Sequence, residues 1–363
     1  MKVALLTRYG DLAASTRQRF NQYKPFLENV GFEVIKYPLF NNSYLKKFYD
    51  SGKRDFSQVL IGYIARLKWL MSKPDVDLVW LHCELFPYLP GFFERLAALP
   101  GKPIIFDYDD AIFHNYDVNS KWYVRKIFND KLHHTIRSAK IAFCGNSYLA
   151  NYARPLCSRI EVVPTIVNTD MLCPKEIEKV NKHPIRIGWI GSPTTWQYFE
   201  KKLPIMDQLL STENVKISVM GVNKNTTNTY SYLDFSEWSE VGEVPFLQSL
   251  DIGVMPLTNS PWAKGKCGYK LIQYMACGLP VVASPIGVNK EIIDHGVNGF
   301  LVETDEEWYN AIKKLVNDQN LRHEMGNAGR EKIEKQYSLN VWGPRVSEIL
   351  RSIVEERLNT NGL

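Results

Sequence analysis

Two lysines and several glycines lie close together in residues 264–303, which read KGKCGYKLIQYMACGLPVVASPIGVNKEIIDHGVNGFLVE. Lys266 stands between Gly265 and Gly268, and the apolar residues that follow recur at helical spacing, so this glycine turn is predicted to open a helix. The N-terminus of a helix presents unpaired N–H groups, and glycine lets an anion approach the backbone closely. With Lys270 one turn further on, the segment predicts a binding site for a phosphate group.

Gln273 lies three residues after Lys270, so both side chains are predicted to project from the same face of a helix at 269–277. The helix is followed by a short apolar run at 280–283, which is typical of a buried parallel strand. That strand leads to Gly287. Because ligands of open α/β sheets bind at the carboxyl ends of the strands, Gly287 is expected at the same site.

Three aspartates follow a second apolar run, at residues 103–106. Asp107, Asp109 and Asp110 stand within one four-residue stretch. Carboxylates this close raise one another's pKa, or they attract a cation or a hydroxyl group. Three interpretations stay open: a divalent metal ion under a diphosphate, orientation of sugar or acceptor hydroxyls, and capping of the next helix.

Other candidate residues also come directly after predicted strands. A histidine in such a place is catalytic or structural, and an arginine clamps an anionic acceptor or makes a surface ion pair. A glycine–serine turn either meets a phosphate or only caps a helix. These residues are His82, Glu84, Gly10 and Arg17 in the first half of the chain, and Gly191 and Ser192 in the second.

The composition is that of a globular enzyme with two domains. The chain has 363 residues, of which 45% are hydrophobic and 23% charged, so disorder and fibrous structure are excluded. The apolar start is too short for a signal peptide, and no apolar run reaches the length of a membrane span, so a cytoplasmic location is expected. The six cysteines lack paired spacing, which predicts free thiols rather than a zinc site or disulfides.

The net charge of +5 is too small to indicate nucleic-acid binding, but it is unevenly distributed. Residues 41–74 contain seven basic and two acidic residues, interleaved with aromatic residues. A basic, aromatic helical stretch is a plausible contact with an anionic membrane surface or with a lipid diphosphate acceptor. A pair of solvated surface helices is the alternative.

Short apolar runs alternate with helical patterns along the chain, which indicates an α/β fold with parallel sheets. A charged linker at 168–184 predicts a first domain at 1–170 and a second at 184–343, followed by a helix at 344–363 that begins at Pro344. The first helix is predicted to be capped by Ser15 and to run toward Val30. Predicted strands are 2–7, 31–35, 76–82, 102–107, 141–144 and 162–164, and then 185–190, 215–220, 252–255, 280–283 and 300–302.

Several motifs resemble the retaining glycosyltransferases of family four, a group 1 glycosyltransferase family with the GT-B fold. The resemblance covers nearly the whole chain and implies two Rossmann-like, doubly wound domains that face a central cleft, with the terminal helix crossing back onto the first domain. The most specific motifs are YMACGLPVVAS at 274–284 and GFLV at 299–302; the others are STRQRFNQYKPFLENVGFEV at 15–34, FDYDDAIF at 106–113, GNSYLANYA at 145–153 and VVPTIVNT at 162–169.

The resemblance implies that the second domain holds the diphosphate of a nucleotide sugar and that no cofactor and no metal is needed. Where the family has two glutamates eight positions apart, this chain has Gly265 and Gln273, and Gln273 is expected to hydrogen-bond a ribose hydroxyl. Glu291 matches a family position that contacts the ribose or the sugar. We expect donor binding by Gly191, Ser192, Lys266, Gly268, Tyr269, Lys270, Gln273, Gly287 and Glu291, catalysis by Asp107, Asp109, Asp110 and His82, and acceptor contacts by Gly10, Arg17 and Glu84.

The sequence therefore predicts a metal-independent, retaining glycosyltransferase that moves a sugar from a nucleotide diphosphate sugar to a glycan or lipid-linked acceptor. Its expected setting is bacterial-type surface polysaccharide assembly, in the cytoplasm or at the inner face of the membrane. Two alternatives stay open: a non-catalytic nucleotide-sugar-binding subunit and a nucleotide-sugar epimerase of the same fold. A nicotinamide oxidoreductase is not favoured, because neither glycine turn, at 8–10 or at 188–191, completes a G-x-G-x-x-G fingerprint.

Overall fold

The computed structural model describes residues 1–174 and 184–361, which form two compact units. Residues 175–183 of the predicted linker lie outside the described ranges. No helix within those ranges is long and apolar enough to cross a membrane. The first unit comprises Met1–Thr165, Gly265–Cys267 and Trp342–Leu363, and the second comprises Ile166–Lys264 and Gly268–Val341.

The first unit is built on a six-stranded sheet whose described strand pairs are all parallel. The strands are β1 (Lys2–Leu6), β2 (Glu33–Lys36), β3 (Leu78–His82), β4 (Ile104–Tyr108), β5 (Ile141–Cys144) and β6 (Ile160–Val162). Their order across the sheet is β2-β1-β3-β4-β5-β6, so the winding direction reverses at β1, as in a doubly wound fold. The last strand begins two residues before the predicted run at 162–164.

The helices of the first unit fill the connections between these strands. The long helix predicted from Ser15 toward Val30 is wrong, because Pro25 lacks the N–H that a helix interior requires and instead stands in the first turn of a new helix. Ser15 is also not the cap, which is Ala13. The helices are α1 (Ala14–Arg19), α2 (Lys24–Asn29), α3 (Asn42–Ser51), α4 (Phe56–Met71), α5 (Trp122–Phe128), α6 (His133–Ser138) and α7 (Ser147–Ala153), with 3-10 turns at Asn21–Tyr23, Gly91–Ala98 and Ile112–Asn115.

The second unit repeats the arrangement with another six-stranded parallel sheet. Its strands are β7 (Ile185–Ile190), β8 (Val215–Met220), β9 (Asp234–Ser236), β10 (Ile252–Met255), β11 (Val281–Ala283) and β12 (Gly299–Leu301), in the order β12-β11-β10-β7-β8-β9. The sequence did not predict β9, an edge strand with one large apolar residue, Phe235.

The remaining helices include the helix predicted after the glycine turn, which runs over Tyr269–Ala276. The C-terminal helix does not begin at Pro344, as predicted, but at Leu339, and Pro344 lies inside it. Gly343 is part of the same helix, where a Cβ atom would come within 2.7 Å of the Phe26 ring. These helices are α8 (Trp196–Glu200), α9 (Leu203–Thr212), α10 (Lys224–Thr229), α11 (Glu240–Gln248), α12 (Pro261–Lys264), α13 (Tyr269–Ala276), α14 (Asn289–Ile292), α15 (Asp305–Asn317), α16 (Gln319–Gln336) and α17 (Leu339–Asn361).

Candidate active site

Asp107, near the end of β4, is completely buried and bonded through both carboxylate oxygens. Arg19 donates to Oδ1 from Nε and Nη2, at 3.0 and 2.7 Å, and the Trp80 indole donates to Oδ2 at 3.0 Å. Arg19 also donates to the carbonyl oxygens of Val163 and Pro164. Burial raises the pKa of Asp107, and Arg19 opposes that shift. This network ties α1, β3, β4 and the segment after β6 together, while the catalytic role predicted for Asp107 stays a prediction.

His82 and Asp109 form a second pair at the same edge of the sheet. The Nε2 atom of His82 lies 3.6 Å from Oδ1 of Asp109. His82 is buried, and among the described residues neither of its ring nitrogens has a hydrogen-bond partner. Burial opposes ionisation of Asp109, but His82 holds the pKa of this carboxyl below its usual value. An imidazole with unfilled nitrogens beside a carboxylate is suited to orient a hydroxyl group through hydrogen bonds.

Cys83 adds a thiol to this pair. The ligand atoms of His82, Cys83 and Asp109 all lie within 4.8 Å of one another, and these residue types can hold zinc. Burial, however, raises the pKa of the Cys83 thiol well above its usual value, whereas zinc binds the thiolate. A bound cation would itself deprotonate the thiol, so this shift does not bear on metal binding, and the metal independence expected from the sequence stays a prediction.

Asp110 is half-buried and interacts electrostatically with Lys266 within the first unit. Burial raises the pKa of Asp110, and the charge of Lys266 opposes the shift. The loop at Gly265–Cys267 is fixed by Asn146, whose amide donates to the carbonyl oxygens of Gly265 and Lys266, both at 3.1 Å. A Cβ atom at Gly265 would lie 2.3 Å from that of Ala111, so the glutamate that the family has here could not replace this glycine without moving the backbone.

Glu84, predicted on the acceptor side, belongs to a buried polar network. Tyr116 donates to its Oε1 atom, Arg8 lies 3.5 Å from Oε2, and Lys131 lies 3.8 Å from Oε1. Lys131 also pairs with the buried Glu94 at 3.0 Å. Burial raises the pKa of Glu84, and the two cations oppose the shift. Both carboxylate oxygens therefore face partners inside the protein, and a contact with acceptor stays a prediction.

Gly10 and Arg17 shape the loop between β1 and α1. The Gly10 amide donates to the Phe40 carbonyl at 3.0 Å, and a Cβ atom at Gly10 would lie 2.3 Å from Oδ1 of Asn42. Arg17 is half-buried and donates to two carbonyl oxygens of the same loop, at 2.8 and 3.1 Å. Its predicted contact with an anionic acceptor is not tested by this geometry.

In the second unit the structure brings Lys270 together with the turn after β7. Its Nζ atom lies 4.3 Å above the centre of the Trp189 ring and donates to Oγ1 of Thr195 at 3.3 Å. A Cβ atom at Gly191 would lie 2.7 Å from the same Nζ and 2.4 Å from the indole. Ser192, in the same turn, donates its amide N–H to Thr195 Oγ1 at 3.1 Å. Cation, glycine and hydroxyl groups thus surround one spot, which is the composition of a phosphate site.

The turn at Gly268 opens α13 as predicted. Gly268 has the left-handed backbone conformation, with φ of 69°, and a Cβ atom there would lie 2.4 Å from Ile292 Cδ1, so glycine is required. Tyr269 is half-buried and packs against the core beneath the helix. The predicted convergence of Lys266 and Lys270 stays a prediction, because the two residues belong to different units.

Gln273 is buried and donates from Nε2 to Oε1 of Glu243, on α11, at 2.8 Å. The Trp238 indole donates to the other oxygen of Glu243 at 2.9 Å. The sequence analysis missed Glu243, since thirty positions separate it from Gln273. A half-buried carboxylate therefore stands beside the position where the family glutamate is replaced.

Gly287 and Glu291 flank the start of α14. Gly287 has φ of 55°, and a Cβ atom there would lie 2.5 Å from the Lys264 carbonyl oxygen. Glu291 is exposed, and its backbone carbonyl accepts a bond from Lys332 at 2.8 Å. The predicted ligand contact of the Glu291 side chain is not tested.

Comparison with known protein families finds a match within the second unit. Residues 185–318 match the family model described as "Glycosyl transferases group 1". Within the second unit, these residues are therefore similar to group 1 glycosyltransferases.

Relatives and solved structures agree with this match. N-acetyl-alpha-D-glucosaminyl L-malate synthase of Bacillus anthracis is 33% identical over 76 residues, which are 20% of this chain and 20% of that protein. An uncharacterized glycosyltransferase of Methanocaldococcus jannaschii is 25% identical over 358 residues, covering 90% of this chain and 83% of that one. The crystal structure of Anabaena HepE in complex with UDP superposes with a TM-score of 0.71 over 97% of this chain and 100% of HepE, at 13% identity. The predicted α/β, two-domain GT-B fold is confirmed.

We expect Asp107→Asn to lower the free energy of unfolding by about 3–5 kcal/mol, because it leaves the buried Arg19 guanidinium without its anion. Chemical denaturation measures this change. The matched control is Asp75→Asn, which breaks the exposed pair with Lys2 and should leave stability unchanged within error. A variant of Asp107 that kept its stability but lost activity would instead give this carboxylate a part in the reaction.

Proposed function

We propose that the protein is a glycosyltransferase that transfers a sugar from a nucleotide diphosphate sugar to a glycan or lipid-linked acceptor, with retention of anomeric configuration and without a metal. The observation that carries this proposal is Lys270, held above Trp189 at the glycine–serine turn of the unit that is similar to group 1 glycosyltransferases. HepE, whose fold is similar, has been crystallised with UDP-glucose. A lipid-linked acceptor in surface polysaccharide assembly would bring the reaction to the inner face of a membrane.

The roles proposed for the donor-binding residues follow from the negative charge that develops on the diphosphate during transfer. Breaking the bond between sugar and diphosphate places negative charge on the leaving group, and a fixed cation stabilises this charge most in the transition state. Lys270 is fixed by the Trp189 ring and by Thr195 before any ligand arrives. The N-terminus of α13, opened by Gly268, adds N–H groups of the right polarity. Glu243, oriented by Gln273, offers an acceptor to a ribose hydroxyl.

The acceptor side of the proposal rests on the carboxylates and the histidine after β3 and β4. His82 and Asp109 are placed to orient the acceptor hydroxyl, and the unfilled nitrogens of His82 can receive its hydrogen bond. No side chain is required to form a covalent bond with the sugar. In this scheme the acceptor's oxygen bonds to the anomeric carbon, the bond to the diphosphate breaks, and the proton leaves toward the diphosphate oxygen.

A second candidate function is binding of a nucleotide sugar without transfer. It is favoured by Gly265 and Gln273, which stand where the resembled family has glutamates. An epimerase of the same fold is a third candidate. Product analysis separates the three, because a transferase yields a lengthened acceptor, an epimerase yields a new nucleotide sugar, and a binding subunit yields neither.

A thermal-shift panel tests donor binding. Uridine, guanosine, thymidine and adenosine diphosphates and their sugar conjugates should include at least one that raises the melting temperature, because a ligand that binds only the folded state stabilises it. At a concentration of roughly 100 times Kd the stabilisation is about 2.7 kcal/mol. If no member of the panel changes the melting temperature, the proposal is wrong.

Lys270→Ala should lower donor turnover by roughly 100- to 1000-fold, because it removes one preorganised charge from the leaving group. Steady-state rates with the donor found in the panel measure the loss. The matched control is Lys202→Ala, which removes a lysine stacked on another indole, 5.4 Å from the Trp308 ring centre, and should keep turnover near that of the wild type. Turnover by Lys270→Ala within a few-fold of wild type would refute the role.

Prolonged treatment with EDTA should leave the transfer rate unchanged, because the proposal assigns the diphosphate charge to lysine and backbone N–H groups. The measurement compares treated enzyme before and after addition of Mg²⁺, Mn²⁺ or Zn²⁺. A rate that EDTA abolishes and a metal restores would contradict the metal-free mechanism. Loss of that restoration in Cys83→Ser would then place the metal at His82, Cys83 and Asp109.

A further inference from the structure

The outward face of α4 is apolar along its whole length. The helix has nine exposed residues, and six of them are large and hydrophobic. Five of the six follow one another at intervals of four, four, three and four residues, so they form a single stripe on a helix about 24 Å long. The exposed apolar residues are Phe56, Leu60, Ile61, Ile64, Leu67 and Met71, with exposed fractions from 38% to 78%.

The inner face of α4 is firmly attached to the first unit. Leu70 is buried in the core, and Tyr63 and Trp69 pack against the same cluster. Arg66 is buried as well and donates to the carbonyl oxygens of Thr7 and Tyr37, at 2.9 and 2.8 Å. Arg66 therefore does not contribute to the surface charge of residues 41–74, contrary to the sequence-based count. Because its inner face is packed against the first unit, α4 holds its apolar stripe toward solvent.

Positive charge borders the stripe. Residues 56–71 contain no aspartate or glutamate, and Lys68 is exposed on the helix itself. Asp55, at the start of α4, is half-buried, accepts the Ser57 and Gln58 amides and pairs with Lys47 at 2.7 Å. The exposed basic side chains in and around α4 are Lys46, Lys47, Lys53, Arg54, Lys68 and Lys73.

We propose that α4 docks the protein on an anionic membrane, with the stripe in the interfacial region of the bilayer and the surrounding lysines and arginine on lipid headgroups. An apolar helical face that is bordered by cations and has no carboxylate within residues 56–71 is complementary to such a surface. A second copy of the chain fits less well, because a two-fold interface through this face would bring the same cations together. The docking surface goes beyond the proposed function and does not depend on donor binding.

Flotation with lipid vesicles tests the proposal. The wild-type protein should float with vesicles of phosphatidylcholine that contain phosphatidylglycerol as about a third of the lipid, and much less with phosphatidylcholine alone. The double variant Leu60→Glu/Ile64→Glu should bind at least about tenfold more weakly, since it places two carboxylates in the stripe. The matched control is Met171→Glu/Val297→Glu, which adds the same two charges at exposed apolar residues of the second unit and should bind like the wild type.

A second variant tests the contribution of positive charge to vesicle binding. Lys68→Glu leaves the stripe intact and should weaken binding to anionic vesicles several-fold, with little change on neutral ones. Melting temperature and the donor-induced thermal shift should stay at wild-type values in every variant, which distinguishes loss of docking from loss of fold or of donor binding. Absence of wild-type flotation overturns the proposal. So does a wild-type dimer, measured by light scattering, that Leu60→Glu/Ile64→Glu converts to a monomer without any vesicle binding in either.

Discussion

In both units every described strand pair runs parallel, and a parallel sheet collects the carboxyl ends of its strands along one edge. The candidate residues come from that edge. In the first unit, Gly10 follows β1, His82 ends β3, Asp109 follows β4 and Asn146 follows β5. Residues far apart in the chain therefore come to the same edge, because each crossover connection runs back along the sheet and the next strand ends at that edge again. The chemistry proposed for this protein depends on that arrangement.

The polar groups at the edge of the first sheet fall into two kinds. Asp107 has both oxygens bonded and Arg19 donates four hydrogen bonds to three residues, so this network is satisfied and rigid. His82 is also buried, and neither of its ring nitrogens is bonded among the described residues. A buried polar group without a protein partner costs free energy unless a water molecule, an ion or a ligand completes its hydrogen bonds. The contrast separates the satisfied network of Asp107 from His82, whose nitrogens are available for the hydrogen bond proposed above.

The sequence predicted most of the fold because buried parallel strands are continuous apolar runs. The strands at 141–144, 185–190, 215–220 and 252–255 have the predicted bounds, whereas β9, with Asp234 and Ser236 around one aromatic residue, carries no such signal. Helix interruptions were harder to predict, since Pro25 begins a helix and Pro344 lies inside one. The partners of the site residues could not be predicted, because the pairs of Arg19 with Asp107 and of Gln273 with Glu243 join positions 88 and 30 apart, and only the folded chain brings them together.

The pair of Gln273 and Glu243 gives a physical account of the most conspicuous departure from the resembled family. A glutamate at 273 would place a second carboxylate within hydrogen-bond distance of Glu243, and like charges this close in a half-buried place disfavour ionisation of both. The amide at 273 instead donates to Glu243 and fixes one of its oxygens, while Trp238 fixes the other. A carboxylate is thus present beside position 273, but it comes from α11 and not from α13. The resembled family has a glutamate at position 273, and this chain has Gln273. That replacement alone does not argue against the proposed ribose contact, because Gln273 orients the carboxylate of Glu243.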